Sequence, residues 1–227
     1  MDKRIAYKIV FDCETCPIDR TIEEVTPSNM LCYDYGWQVV DKRGNVYRRR
    51  SFINRDIFIK ERERMQSAYY ANKIPQYWRD VWDGKRKMAS YYEIVKAFRE
   101  DVAEFNVKQV YAHNMRFDYG ATNNTARYLT NSKYKYFFPY GMEICDTLKM
   151  ARDVFGKMKT YLEFCETNHY TTKNGKPRFT AEILYRYISG NNEFIEQHTG
   201  LEDVEIETEI LVRCYRSHKK MRRALYS

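Results

Sequence analysis

Apolar residues along the chain form short runs that are typical of strands. Residues 5–12 (IAYKIVFD) are mostly apolar and rich in β-branched and aromatic side chains, which predicts a buried central strand. Residues 31–40 and 45–53 predict two further strands, joined by a short hairpin link. Two more short strands are predicted at 107–112 and 142–147.

Other apolar positions recur at the spacing of an α-helix. The clearest case is 90–105, an amphipathic helix whose apolar positions are Ile94, Val95, Phe98, Val102 and Phe105. Further helices are predicted at 116–129, 147–155, 160–168, 180–189 and 200–218. Strands come first and then alternate with helices, which predicts an α/β fold.

The stretch at about 54–90 is longer than a link between a strand and a helix requires. Its lysines and arginines alternate with the aromatic residues Tyr69, Tyr70, Tyr77, Trp78 and Trp82. One interpretation is a lobe that grips single-stranded nucleic acid by stacking and phosphate contacts. The other is a helical pair packed on its aromatic side chains. No repeat or flexible linker interrupts the sequence, so residues 1–227 are predicted to form one domain with this insertion.

Composition bears on partners and location. The 227 residues carry 39 Lys and Arg against 31 Asp and Glu, and 21 tyrosines. This balance favours a polyanionic partner, although a solvated basic surface is the alternative. Mean hydropathy is −0.74, and neither a membrane-spanning run nor a signal peptide is recognisable. We therefore expect a cytoplasmic protein without a membrane partner.

One cysteine pair and one cysteine–histidine pair have zinc-ligand spacing. Cys13 and Cys16 are separated by two residues, and Cys165 precedes His169 by four positions. No second Cys-x2-Cys exists and the pairs lie far apart in sequence. Buried, reduced thiols are therefore favoured over a zinc site or disulfides.

An acidic pair follows the first predicted strand in the segment FDCET at 11–15. The strand period of two puts Asp12 and Glu14 on one face, with Cys13 on the other. Two adjacent carboxylates repel each other unless a cation lies between them, and Mg²⁺ or Mn²⁺ suits such oxygen ligands. A solvated strand end with a chance acidic pair is the alternative.

Two further segments place acids near helix starts. Asp118 follows the fourth predicted strand and falls in the first turn of the next helix. Near the C-terminus, Thr199 and Glu202 have the spacing of a capping box. That assignment puts His198 beside Asp203 at the mouth of the last helix. Helix capping alone would also account for these residues.

Taken together, these residues predict metal-dependent phosphodiester hydrolysis. Asp12, Glu14, Asp118 and Asp203 suffice to hold two divalent ions about 3.5–4 Å apart, an arrangement used for in-line displacement at phosphorus. His198 is the candidate general base because the pKa of imidazole lies near neutrality.

At these residues the chain resembles the DEDDh family of 3′→5′ exonucleases, which contains the proofreading subunit of bacterial replicative polymerases. Three motifs carry the resemblance: FDCET at 11–15, HNMRFD at 113–118 and HTGLED at 198–203. The segment at 145–152 is also similar to the stretch between the second and third motifs of the family. A sister group has Tyr-x3-Asp in the third motif, but Thr199 stands at that position here.

The resemblance implies an RNase H-like fold, with a mixed five-stranded sheet flanked by helices. Three strands of that sheet form an antiparallel meander and two are parallel. It also implies hydrolysis of single-stranded DNA from the 3′ end, releasing nucleoside 5′-monophosphates. Two Mg²⁺ (or Mn²⁺) would be held by the four carboxylates, with His198 as the general base. Thr15 and Asn114 would lie near the terminal nucleotide, and a DNA polymerase is a candidate partner.

Two other functions stay open. A short-RNA 3′→5′ exonuclease would use the same five residues, and only the resemblance to the proofreading group favours DNA. A catalytically dormant nucleic-acid-binding or polymerase-accessory module would be favoured by the loss of a metal ligand, and none is lost. The expected location is the cytoplasm of a bacterium or of a phage-infected host.

Overall fold

The computed structural model describes residues 2, 4–19, 21 and 24–226. Its strands are β1 (Lys8–Pro17), β2 (Met30–Val40), β3 (Val46–Asn54), β4 (Lys87–Ala89), β5 (Gln109–Ala112) and β6 (Glu143–Asp146). Within this part of the chain they form one mixed sheet of six strands in the order β4-β3-β2-β1-β5-β6. With helices packed against this sheet, the predicted α/β class is confirmed.

The pairing of the strands corrects the predicted strand count. Strands β1, β2 and β3 form an antiparallel meander, and β5 and β6 continue the sheet parallel to β1, as predicted. The expected five strands are wrong, because β4 pairs parallel to the end of β3. With three residues, β4 is too short to show a period and is defined by its pairing alone.

Helices cover both faces of the sheet. They are α1 (Arg55–Phe58), α2 (Arg62–Met65), α3 (Ile74–Trp82), α4 (Tyr91–Glu104), α5 (Met115–Leu129), α6 (Thr147–Phe155), α7 (Lys159–Thr167), α8 (Ala181–Ser189) and α9 (Gly200–Arg216). From α4 onward the predicted helix bounds agree with these to within two residues at each end. Local capping explains the agreement at α4, where Ser90 and Glu93 form a capping box.

Side chains of β1 alternate between two hydrophobic layers. Ile9 and Phe11 pack in the layer under α4 and α5, whereas Val10 packs in the layer under α6, α8 and α9. By the strand period, Asp12 and Glu14 share the face of Val10 and point towards α9. The sequence therefore sets which helix the two acids meet.

The first strand of the structure begins and ends later than predicted and is longer. It was expected at 5–12, but β1 continues to Pro17 because β2 pairs with it along its whole length. Its other neighbour, β5, pairs only with Ile9 and Val10. Beyond Val10 that edge of β1 is therefore open, and Asp12 and Glu14 lie along the open part rather than at the end of the strand.

The segment at 54–90 forms α1, α2, α3 and β4 and has its own buried cluster. Tyr77 is buried in that cluster, which supports the helical-pair interpretation for part of the segment. Tyr69 and Trp82 are 84% and 91% exposed and remain available for other contacts. The division into one domain with an insertion stays a prediction.

All six cysteines are buried as free thiols. Cys16 lies in the cluster of the 54–90 segment, whereas Cys165 lies under α6, α8 and α9, so the two pairs with zinc-ligand spacing are far apart. None of the helices formed by the described residues is both long and apolar enough to cross a membrane.

Candidate active site

The open edge of β1 forms the floor of a cleft of about 1060 Å³ between α5 and α9. The five residues predicted to be catalytic all line this cleft: Asp12, Glu14, Asp118, His198 and Asp203. They come from β1, α5, the turn before α9 and α9 itself. Three segments that are remote in sequence therefore meet in one place.

Asp12 lies at the bottom of the cleft. Burial raises the pKa of its carboxyl well above the usual range, and the nearby carboxylates of Asp118 and Glu207 raise it further. Its Oδ2 atom is buried without a hydrogen-bond partner among the described residues. A buried carboxylate oxygen without a donor is costly unless a cation or a proton neutralises it.

Asp118 approaches Asp12 from α5. Asn114 is the N-cap residue of this helix, and its backbone is left-handed with φ of 69°. Its side chain forms no capping hydrogen bond. The Cys13 thiol donates a hydrogen bond to Asp118 Oδ1 over 3.4 Å. Burial is the main cause that raises the pKa of Asp118, to about 7.

Glu14, Asp203 and His198 form the upper part of the site. One potential ligand atom from each of the three lies within 4.8 Å of the others. Burial raises the pKa of Asp203 to about 8, and the neighbouring Glu196 carboxylate adds to the rise. The pKa of Glu14 is also raised, by burial and then by Asp203. The cleft therefore brings together carboxyl groups whose ionisation burial and mutual repulsion disfavour.

The first turn of α9 differs in detail from the predicted capping box. Thr199 is the N-cap residue, but its hydroxyl donates to Glu202 Oε2 over 2.7 Å instead of capping the helix. His198 and Asp203 do meet, through a hydrogen bond from the His198 backbone N–H to Asp203 Oδ1 over 3.2 Å. The capping box fails because Glu202 also pairs with Arg86, whose Nη2 lies 2.5 Å from Glu202 Oε2.

A buried ion pair and a close backbone approach fix the start of α9 against β2. Asp34 accepts a hydrogen bond from the Gly200 backbone N–H over 2.9 Å, and Arg86 lies 3.3 Å from the same carboxylate. Gly36 lies so close to Gly200 that a Cβ atom at Gly36 would be 2.2 Å from the Gly200 carbonyl carbon. Only glycine permits this approach, which sets the position of the helix that carries Asp203.

His198 has an unusual backbone and a crowded ring. Its φ of 49° is in the left-handed region that residues other than glycine seldom occupy. Its imidazole stacks on the Tyr70 ring, with centroids 4.5 Å apart and planes 12° from parallel. Burial and then the Lys73 ammonium lower the pKa of His198, which favours the neutral form needed by a base.

Two further acids of the site were missed in the sequence. Glu207 is buried, lines the cleft and accepts a hydrogen bond from the His113 backbone N–H over 3.0 Å. It follows Asp203 by four residues, and this one-turn spacing could have identified it. Glu196 also lines the cleft, and burial raises its pKa to about 7. The sequence indicates Glu196 less clearly, because it lies two positions before His198 and outside the helix that carries Asp203.

The two predicted substrate-binding residues have different locations. Asn114 lines the cleft beside Asp118. Thr15 follows an irregularity in the pairing of β1 with β2, is almost buried, and is not among the described residues that line the cleft. The placement of Thr15 beside a terminal nucleotide therefore stays a prediction.

The outer wall of the cleft is basic and partly aromatic. Arg152, Lys176 and Arg178 line it and are exposed, and Phe179 and Phe117 lie beside them. This wall could not be predicted from the sequence, because α6 and the loop before α8 meet there only in the folded chain. Basic side chains facing an acidic floor suit a ligand that carries phosphates and a metal ion.

The donor atoms of the cleft are of the kind that bind divalent metal ions. Oxygen ligands dominate, Asp12 Oδ2 has no partner, and burial and mutual repulsion raise the pKa values of the carboxyls. Mg²⁺ and Mn²⁺ prefer such carboxylate ligands. Among the described residues, two groups have ligand atoms close enough together to share an ion: Glu14, His198 and Asp203, and Glu182, Glu196 and His198. That Asp12, Glu14, Asp118 and Asp203 hold metal stays a prediction.

Comparison with known proteins adds no assignment. No model of a protein family matches the chain, and no curated protein matches its sequence.

Proposed function

We propose that this protein is a metal-dependent 3′→5′ exonuclease with an RNase H-like fold. The observation that carries the proposal is the convergence of the four predicted carboxylates and one imidazole on a single cleft that basic side chains also line. The antiparallel meander followed by two parallel strands is compatible with that fold. The resemblance of the three motifs to the DEDDh family supplies the direction of hydrolysis and the preference for DNA.

In this proposal the acids hold two divalent ions, Mg²⁺ or Mn²⁺. Asp12, Glu14, Asp118 and Asp203 are the ligands. When bound, the ions neutralise the buried carboxylates and stabilise the negative charge that develops on the scissile phosphate. The pKa values of these carboxyls are raised, which means that their charged forms are disfavoured in the metal-free cleft. A bound cation would favour the charged forms.

His198 acts as the general base. Its lowered pKa keeps the imidazole neutral near pH 7, so that it can accept a proton from the attacking water. The exposed cations Arg152, Lys176 and Arg178 hold phosphates of the incoming strand, and Phe117 offers a face for the terminal base. In this proposal Asn114, which also lines the cleft, contacts the terminal nucleotide.

The test is hydrolysis of a 5′-labelled single-stranded DNA oligonucleotide with Mg²⁺ or Mn²⁺, in parallel with RNA of the same sequence. We expect a ladder that shortens from the 3′ end and releases nucleoside 5′-monophosphates. EDTA and the Asp12→Asn substitution should each abolish it. Asp83→Asn is the matched control, because Asp83 is about half exposed at the end of α3, outside the cleft.

Each alternative has its own result. Cleavage of RNA alone would replace the DNA substrate with short RNA and keep the mechanism. Binding of both oligonucleotides without cleavage would refute the exonuclease and favour a dormant nucleic-acid-binding or polymerase-accessory module. A DNA polymerase as partner and a cytoplasmic location remain part of the proposal. The partner is tested by a pull-down from the source cell, and the location by fractionation of that cell.

A further inference from the structure

We propose that the 54–90 segment is part of the active site, where Tyr70 and Lys73 position the imidazole of His198. This inference rests on the proposed exonuclease function. Both residues lie at the turn that enters α3, where Tyr70 precedes the short 3₁₀ turn Ala71–Lys73. None of the elements that carry the four carboxylates contributes either residue.

Tyr70 fixes the plane of the imidazole ring. Its ring is stacked on that of His198 at 4.5 Å and lines the cleft. The exposed ring of Tyr69 packs edge-on against Tyr70, with centroids 4.8 Å apart. Lys73 Nζ lies 5.1 Å from the Tyr70 ring centroid and adds a cation–π contact. The orientation of Tyr70 is thus itself determined by two neighbours.

Lys73 fixes the backbone of His198. Its Nζ donates a hydrogen bond to the His198 carbonyl oxygen over 3.3 Å. On the other side of the residue, the His198 N–H donates to Asp203 Oδ1. A left-handed backbone at a histidine is strained and persists only where the surroundings hold it in place. These two hydrogen bonds hold the peptide groups on either side of His198.

In this proposal two parts of the protein contribute different groups to catalysis. The sheet and the helices α5 and α9 supply the acids, whereas the segment at 54–90 sets the direction in which the base faces. A base displaced by about 1 Å loses on the order of a hundredfold in rate, because proton transfer requires close alignment. Tyr70 and Lys73 are therefore positioning residues that act through His198.

The test compares Tyr70→Ala with Tyr70→Phe, and Lys73→Met with Lys73→Arg. We expect Tyr70→Ala and Lys73→Met to lower kcat roughly 10- to 100-fold with KM unchanged. Tyr70→Phe, which keeps the stacked ring, and Lys73→Arg, which keeps the donor, should restore most of kcat. Tyr92→Ala and Lys96→Met are matched controls, since these exposed residues of α4 do not line the cleft.

A second measurement does not depend on activity. A ring stacked at 4.5 Å shifts the imidazole proton resonances of His198 upfield in the NMR spectrum. The chain has only four histidines, so His198→Gln assigns these signals. Tyr70→Ala should abolish the upfield shift in a folded protein, whereas Tyr70→Phe should retain it.

Two results would overturn the inference. One is an unchanged His198 resonance in Tyr70→Ala. The other is a rise in KM at constant kcat, which would make Tyr70 a substrate contact instead. If the wild-type protein cleaves neither DNA nor RNA, the proposed function fails by itself, and the resonance still decides whether Tyr70 positions the ring.

Discussion

Replacing Asp203 with asparagine should stabilise the metal-free protein at neutral and alkaline pH while abolishing nuclease activity. Burial and then Glu196 raise the pKa of Asp203 to about 8, from an ordinary value of 3.8. The folded state therefore binds a proton that the unfolded chain releases. Asparagine keeps the oxygen that accepts the His198 N–H and removes only the ionisation.

The expected magnitude follows from proton linkage. A carboxyl whose pKa is raised on folding contributes stability that is present below about pH 4 and is lost as the pH rises towards 8. Between these two pH values the folded state binds one proton more than the unfolded chain. The free energy of unfolding therefore falls by about 1.4 kcal/mol for each unit by which the pH rises. From pH 5 to pH 8, Asp203 should therefore account for a loss on the order of 4 kcal/mol, which Asp203→Asn removes.

The assay is urea unfolding in EDTA at pH 5, 6, 7 and 8, followed by tryptophan fluorescence. Trp37 is fully buried in the sheet and reports unfolding of the core. Asp83→Asn serves as the control for loss of one negative charge at the surface. We expect the control to follow the wild type and Asp203→Asn to show a flatter dependence on pH.

Addition of Mg²⁺ provides the complementary half of the test. The ion should stabilise the wild type at pH 8 by about 2.7 kcal/mol when present at a hundred times its dissociation constant. Asp203→Asn should gain much less. Parallel pH curves for the two proteins, or a variant less stable than the wild type at pH 8, would refute the claim that burial and neighbouring carboxylates raise the pKa of Asp203 in the metal-free cleft.

Three other perturbations test the surroundings of the site. Arg86→Met should lower the free energy of unfolding by about 3–5 kcal/mol, because Asp34 is then buried without its cation; an unchanged urea midpoint would contradict this. Glu207→Gln should raise the Mg²⁺ concentration for half-maximal nuclease activity roughly tenfold, and an unaltered Mg²⁺ titration would exclude its electrostatic role. Gly36→Ala should displace Gly200 and lower both the free energy of unfolding and kcat, whereas wild-type stability and turnover would show that the close approach is dispensable.

Local patterns determined most of the secondary structure. The helix predicted at 147–155 has these bounds in the structure, and the strand predicted at 31–40 differs from β2 by one residue. Periodicity and capping involve residues within a few positions of one another, so the sequence contains them in full. The strand β4 was missed because its three residues are extended only through pairing with β3.

The sequence also determined the chemistry that the chain can offer, namely acids on one face of β1, an acid near the start of α5, and a histidine before α9. Only the tertiary structure decided which of these residues share a cleft. Glu207 lines that cleft, whereas Thr15 is not among the described residues that line it. It also decided that Tyr70 reaches His198 across more than a hundred positions of sequence. Such contacts arise from sheet order and helix packing, which no local period encodes, because they depend on how remote segments bury one another's surfaces.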